Sequence, residues 1–131
     1  MRVIGIDFGE RRVGLALGDT EARIASPWRV VQATSDAEAV AGIAEVVKAE
    51  GAEALVLGWP RPLGDAHATT PQTERVVAFE RELAVLGLPI HREDEALTSR
   101  AAAVLARDAG LKGKRDDMAA AAILQTWLDR R

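Results

Sequence analysis

Residues 53–59, Glu-Ala-Leu-Val-Leu-Gly-Trp, are apolar at almost every position. A strand with one wet face would alternate. A run without alternation is buried on both faces, as in the interior of a parallel sheet covered by helices on either side. The flanking sequence supplies such helices. Residues 36–50 carry Val40, Ile43 and Val47 at helical spacing, and Gly51 stops the segment. After a loop at 60–69, Thr70-Pro71 offers an N-cap and a first-turn proline. The helix that follows has Val76, Phe79, Leu83 and Leu86 on one face and ends at Gly87. Residues 88–92 read as a short strand.

The N-terminal third has a different rhythm. Residues 2–8 form a first strand, and Gly9-Glu10 a tight turn. Residues 12–18 alternate Val13, Leu15 and Leu17 with Gly14, Ala16 and Gly18, giving one large-residue face and one small-residue face. Residues 23–31 make a third strand, and Ser26-Pro27 marks it as bulged or at an edge. Beyond the fifth strand, Thr98 or Ser99 caps a helix to about residue 108, ended by Gly110. Asp116 or Asp117 caps a last helix to about residue 129. The order βββ-α-β-α-β-α-α predicts an α/β fold: one five-stranded mixed sheet, an antiparallel meander followed by parallel crossovers, with helices on both faces. At 131 residues the expectation is a single domain, 1–131.

Composition narrows the chemistry. With no cysteine, disulfides, thiolate metal sites and thiol nucleophiles are excluded. Met1-Arg2 runs directly into a strand with no leader pattern, and no long apolar span follows, so a cytoplasmic location is expected. The net charge of −3 argues against coating nucleic acid by bulk charge. The distribution is less even: Arg100, Arg107, Lys112, Lys114 and Arg115 face only Asp108 in that stretch. Such a run also suits a solvated helix face and turn.

Three acidic positions stand out. Asp7 ends an apolar strand on the face of Val3 and Gly5, where a carboxylate needs a metal, a cation or a helix N-terminus. The plain alternative is an Asx bond to the following turn. Glu93-Asp94-Glu95 stand at the carboxyl end of the last strand, where ligands collect in parallel sheets, although a loop or cap would use such acids too. Asp116-Asp117 precede an alanine run, Ala119 to Ala122. Aspartate is a favoured cap, but a helix this small-faced can pack close to the sheet and carry its first acids there. Together the three groups suit two divalent ions about 3.5–4 Å apart that hold a phosphate, activate water and stabilise a leaving oxygen. An all-oxygen donor set fits Mg²⁺ or Mn²⁺. His67 lies in a Gly/Pro loop and His91 in a strand, and no Ser/His/Asp arrangement competes.

Residues 4–16, Ile-Gly-Ile-Asp-Phe-Gly-Glu-Arg-Arg-Val-Gly-Leu-Ala, followed by Asp19, resemble the opening of the YqgF/RuvX family. The resemblance continues through Leu57-Gly58-Trp59-Pro60, then residues 94–99, then residues 116–125 ending in Ile123-Leu124-Gln125. That family has an RNase H-like fold. Its members are described as Holliday junction resolvases and as nucleases maturing the 5′ end of pre-16S ribosomal RNA. The resemblance implies that Asp7, Glu95 and Asp116 are the catalytic, metal-binding acids. Asp116 is preferred to Asp117 because the family's acid lies seven residues before the Ile-Leu-Gln. It makes Arg11 and Arg12 candidate phosphate contacts, and Arg107, Lys112, Lys114 and Arg115 a candidate backbone-binding surface, on branched DNA or structured precursor rRNA. Two departures border the substrate. Ala96 stands where the family has Arg, and Arg61-Pro62-Leu63-Gly64-Asp65 replaces a Leu-Asn-Met-Asp-Gly-like loop. Junction resolution would require a homodimer, and RNA trimming would not. The competing readings are an actin-like nucleotide phosphate-binding domain, whose loop also reads Asp-x-Gly, and a non-catalytic nucleic-acid-binding adaptor.

Overall fold

The computed structural model describes residues 1–60, 70–94 and 116–131. Strands β1 (Arg2–Asp7), β2 (Arg12–Asp19) and β3 (Ile24–Gln32) form the antiparallel meander. Helix α1 (Asp36–Glu50) leads to β4 (Ala52–Trp59), and helix α2 (Pro71–Leu83) leads to β5 (Ile90–Asp94). Helix α3 (Asp116–Asp129) follows. The sheet order is β3-β2-β1-β4-β5, with β4 parallel to both β1 and β5. The crossovers therefore bury β1 and β4 in the middle, and their residues are covered on both sides.

Local signals set the helix limits. Ser35 accepts a hydrogen bond from the Glu38 N–H, and Gly51 closes α1 in the left-handed region at φ 65°. Thr70 and Thr73 form a reciprocal capping box at the start of α2, ahead of Pro71. The expected helix to Gly87 is shorter than the pattern suggested. α2 ends at Leu83 and tightens into a 3₁₀ turn, Ala84–Leu86, before Gly87 at φ 72°. β3 is an edge strand with a register shift opposite Leu15 and Ala16, where Trp28 is the extra residue beside Pro27. β5 begins two residues later than the pattern predicted. Pro89 has no N–H but its carbonyl accepts from the Leu55 N–H at 2.9 Å, and the paired run extends from Ile90 to Asp94. Glu93 and Asp94 thus belong to the strand. The expected helix at 98–108 lies outside the described residues.

The two faces of the sheet are built differently. On one, Ile4, Ile6, Leu15, Leu55 and Leu57 pack against Ile43 of α1 and Phe79 and Leu83 of α2. On the other, Val3, Ala16, Ala54 and Val56 meet Ala120, Ala121, Ile123, Leu124 and Leu128 of α3. The second face is made of small residues, and α3 lies close upon it. A Cβ on Gly5 would come within 2.8 Å of the Ala120 carbonyl oxygen and 2.7 Å of Leu124 Cβ. A Cβ on Gly14 would overlap the Asp116 carbonyl. On Gly58 its one close clash would be with the tip of a side chain, Ile123 Cδ1, at 2.5 Å, with the Ile6 carbonyl oxygen at an ordinary 3.5 Å.

This difference between backbone and side-chain neighbours has a measurable consequence. Gly14→Ala must lift the first turn of α3, because a carbonyl cannot rotate away, and should lower stability by about 1–3 kcal/mol. Gly58→Ala needs only a rotamer change at Ile123 and should lose less. Urea unfolding of both variants tests the ranking. The reverse order would show that α3 does not rest on the β2 backbone.

Candidate active site

Three pieces of chain meet at one end of the small-residue face. Period-2 alternation places Val3, Gly5 and Asp7 of β1 on that face. Asp7 is 7% exposed and is the cross-strand partner of Gly14. The Asp116 carbonyl and Cβ stand directly over Gly14. Asp116 is therefore delivered beside Asp7, and it too is 7% exposed. Arg12, at the start of β2, places its Nε 3.3 Å from Asp116 Oδ2. Its side chain remains 59% exposed, so the cation sits at the solvent rim of a pair of buried acids. Asp117 is equally buried, and its Oδ1 accepts from the Met118 N–H at 3.0 Å. Both aspartates occupy the first turn of α3, where free backbone N–H groups favour negative charge.

The acids expected from sequence thus converge in part. Asp7 and Asp116 come together from opposite ends of the described chain, with the Asp116 backbone seated on Gly14. Glu95 lies outside the described residues, immediately after β5. Arg107, Lys112, Lys114 and Arg115 also lie outside them, as does His67. Arg11 and Arg12 are exposed on the turn side of Asp7. Arg12 is engaged with Asp116, and the Arg11 carbonyl accepts from the Ala33 N–H at 3.1 Å. Among the described residues, no three metal-ligating side chains cluster. The donors that do converge are carboxylates, a hard oxygen set suited to Mg²⁺ or Mn²⁺.

The same architecture occurs in known resolvases. The chain superposes on Thermus thermophilus RuvC in complex with a Holliday junction substrate with a TM-score of 0.62, at 21% identity, covering 99% of this chain and 94% of that one. It also superposes on the yeast mitochondrial Holliday junction resolvase Ydc2 with a TM-score of 0.58, at 18% identity, covering 96% and 77%. The fold is therefore the RNase H-like fold of the resolvases. Sequence narrows this further: the family model RuvX, Holliday junction resolvase, matches residues 1–130. A protein of Chloroflexus aggregans that carries the provisional name pre-16S rRNA nuclease is 39% identical over 98% of this chain and 94% of its own. One of Moorella thermoacetica with the same name is 38% identical over 99% and 96%. The chain belongs to the RuvX family of nucleases.

One acid in this region has a role that its sequence did not single out. Glu93 faces α3 from β5, beside Gly58, and is fully buried. Its Oε2 pairs with Arg130 at the end of α3, while its Oε1 has no hydrogen-bond partner. The acid cluster 93–95 was the only sequence signal, and it does not reveal that Arg130 reaches back to the first member. Burial pushes the Glu93 carboxyl above the usual carboxylate range, Arg130 opposes this, and Asp94 adds to it. A carboxylate with a raised folded-state pKa opposes folding at neutral pH, and this penalty fades as pH falls through that pKa. Glu93→Met removes the buried charge and releases Arg130, whose side chain is 62% exposed, to water. The variant should therefore match or exceed wild-type stability at pH 7 by about 1 kcal/mol. The difference should shrink as pH is lowered from about 7 towards 5. Urea melts across that range test both statements. A variant clearly weaker than wild type at pH 7 would mean that the ion pair anchors the end of α3.

Proposed function

We propose that residues 1–131 form a single divalent-metal-dependent endonuclease domain that acts in the cytoplasm. The observation that carries this reading is the convergence of Asp7 and Asp116, two nearly buried acids from distant segments, where Gly14, the cross-strand partner of Asp7, admits the backbone of Asp116. Two buried carboxylates with an exposed arginine at the rim suit a divalent cation better than a structural ion pair. Asp7 and Asp116, with Glu95 as the third acid, would hold Mg²⁺ or Mn²⁺. The bound metal supplies Lewis acidity and a low-pKa water for phosphodiester hydrolysis. Arg11 and Arg12 border these acids and would hold a backbone phosphate. Arg107, Lys112, Lys114 and Arg115 would extend that contact along the substrate. Among the described residues, no helix is long and apolar enough to cross a membrane.

The substrate class is structured nucleic acid. The names of the curated relatives favour precursor 16S rRNA, and the family description favours the Holliday junction. Cleavage of labelled junction, duplex DNA and structured RNA side by side, with Mg²⁺ and with Mn²⁺, separates the two. Activity confined to the junction would also require a homodimer, since symmetric resolution needs two active sites.

Asp7→Asn should abolish cleavage of whichever substrate is cut while leaving the fold and nucleic-acid binding intact, because phosphate contacts are separate from the chemistry. Near-wild-type cleavage by this variant in Mg²⁺ would refute the site. Replacing Lys112, Lys114 and Arg115 by Ala should weaken binding to all sequences alike. Each lost phosphate contact should flatten the slope of log K against log salt by about 0.7–0.9. An unchanged slope in the triple variant would show that this stretch does not touch the backbone.

A further inference from the structure

Asp7 and Phe8 are consecutive residues that leave the end of β1 on opposite faces. Asp7 enters the α3 side, and Phe8 packs against the core beneath α1 and α2. The Phe8 ring stacks on the buried Phe79 ring with centroids 4.2 Å apart and planes at 22°. The Arg75 guanidinium of α2 lies over the same ring, 4.8 Å from its centroid. Arg75 makes two further connections. Its Nη1 and Nη2 donate to both carboxylate oxygens of Asp36 in the first turn of α1, at 2.9 and 2.7 Å. Its Nε is 3.5 Å from Glu10 Oε1. Phe8 and Glu10 flank Gly9, where a Cβ would lie 2.6 Å from the Arg12 carbonyl oxygen. One cation thus joins α1, α2 and both sides of the tight turn that follows Asp7.

Asp36 alone would satisfy the guanidinium in a fork-to-fork pair. The added contacts with Phe8 and Glu10 are what tie the turn to the two helices. Phe8 is bonded to Asp7 at the point where β1 ends, so holding Phe8 and Glu10 restricts the backbone on the open side of Asp7.

We propose that Arg75 is a positioning residue for Asp7: anchored by Asp36, it grips Phe8 and Glu10 and so fixes the direction in which the Asp7 carboxylate leaves the sheet. This inference rests on the reading of Asp7 as a metal-binding acid. The test is direct Mn²⁺ binding, followed by electron paramagnetic resonance of the free ion, together with the Mn²⁺ dependence of cleavage. The proteins compared are wild type, Asp7→Asn, Arg75→Met, Asp36→Asn and Val46→Ala. Val46 is a buried residue of α1, and its truncation loosens the same core without touching the turn. Arg75→Met should bind Mn²⁺ about tenfold more weakly, the scale on which residues that orient metal ligands act. Asp36→Asn should weaken binding in the same direction by a smaller factor. Val46→Ala should lose stability yet stay within about twofold of wild type in Mn²⁺ affinity. If Asp7→Asn loses Mn²⁺ while Arg75→Met keeps wild-type affinity, the positioning role is overturned and the site reading stands. If Asp7→Asn binds Mn²⁺ like wild type, the site reading falls and takes the inference with it. A tenfold loss in Val46→Ala would assign the effect to general loosening and likewise overturn it. Should Arg75→Met fail to fold, Asp36→Asn decides, and unchanged affinity there ends the proposal.

Discussion

The contact on which the rest of the molecule depends is between a backbone and a missing side chain. The Asp116 carbonyl occupies the space that a Cβ on Gly14 would need, and the Ala120 carbonyl lies almost as close to Gly5. Ordinary helix-on-sheet packing keeps backbones apart by a layer of side chains. Here glycines on the sheet and alanines on α3 remove much of that layer over the first turns of the helix. The remaining stabilisation comes from Ile123, Leu124, Trp127 and Leu128 further along, which fill the lower part of the same face. The helix is therefore seated by large residues at one end and admitted by small ones at the other. The admitted end is where the acids are.

That arrangement sets burial against charge. Asp7, Asp116 and Asp117 are each less than a tenth exposed, and Glu93 is fully enclosed. A fold selected for stability alone would place apolar groups at such positions. Among the groups around them are an exposed Arg12 beside Asp116, the Met118 N–H on Asp117, and Arg130 folded back on Glu93. On the opposite side of the sheet the balance is reversed. Phe8, Phe79, Arg75 and Asp36 form a dense group in which every charge has a partner. The polar end of β1 is thus backed by stacked rings and a paired cation.

Much of this was legible in the chain. The nearly continuous apolar run at 53–59 required a doubly covered strand, and β4 is one. The large and small faces of residues 12–18 became the two differently built sides of the sheet. Ser26-Pro27 did mark a bulged edge. Other features were not legible, for physical reasons. The start of β5 depends on the Pro89 carbonyl meeting Leu55, a pairing between segments that periodicity cannot register. The end of α2 depends on a change from α to 3₁₀ hydrogen bonding within a pattern that stays apolar to Leu86. The ion pair of Glu93 with Arg130 joins residues from separate elements and has no spacing signature. In the candidate site, Asp7 and Asp116 were identifiable as oddities by position, but the choice of Glu95 and of Asp116 over Asp117 came from family resemblance. The helix-capping preference of aspartate would have explained residues 116 and 117 equally well.

The placement of α3 also bears on when such a site can come into being. The meander β1 to β3 joins neighbours in sequence, whereas the seat of α3 is built from β1, β2 and β4 together and depends on pairing between distant segments. Asp7 leaves the ribosome long before Asp116. A nascent chain that has not yet released residue 116 carries half of the acid pair and no helix to enclose it. The two acids stand side by side only once the last helix has settled on Gly14 and Gly5.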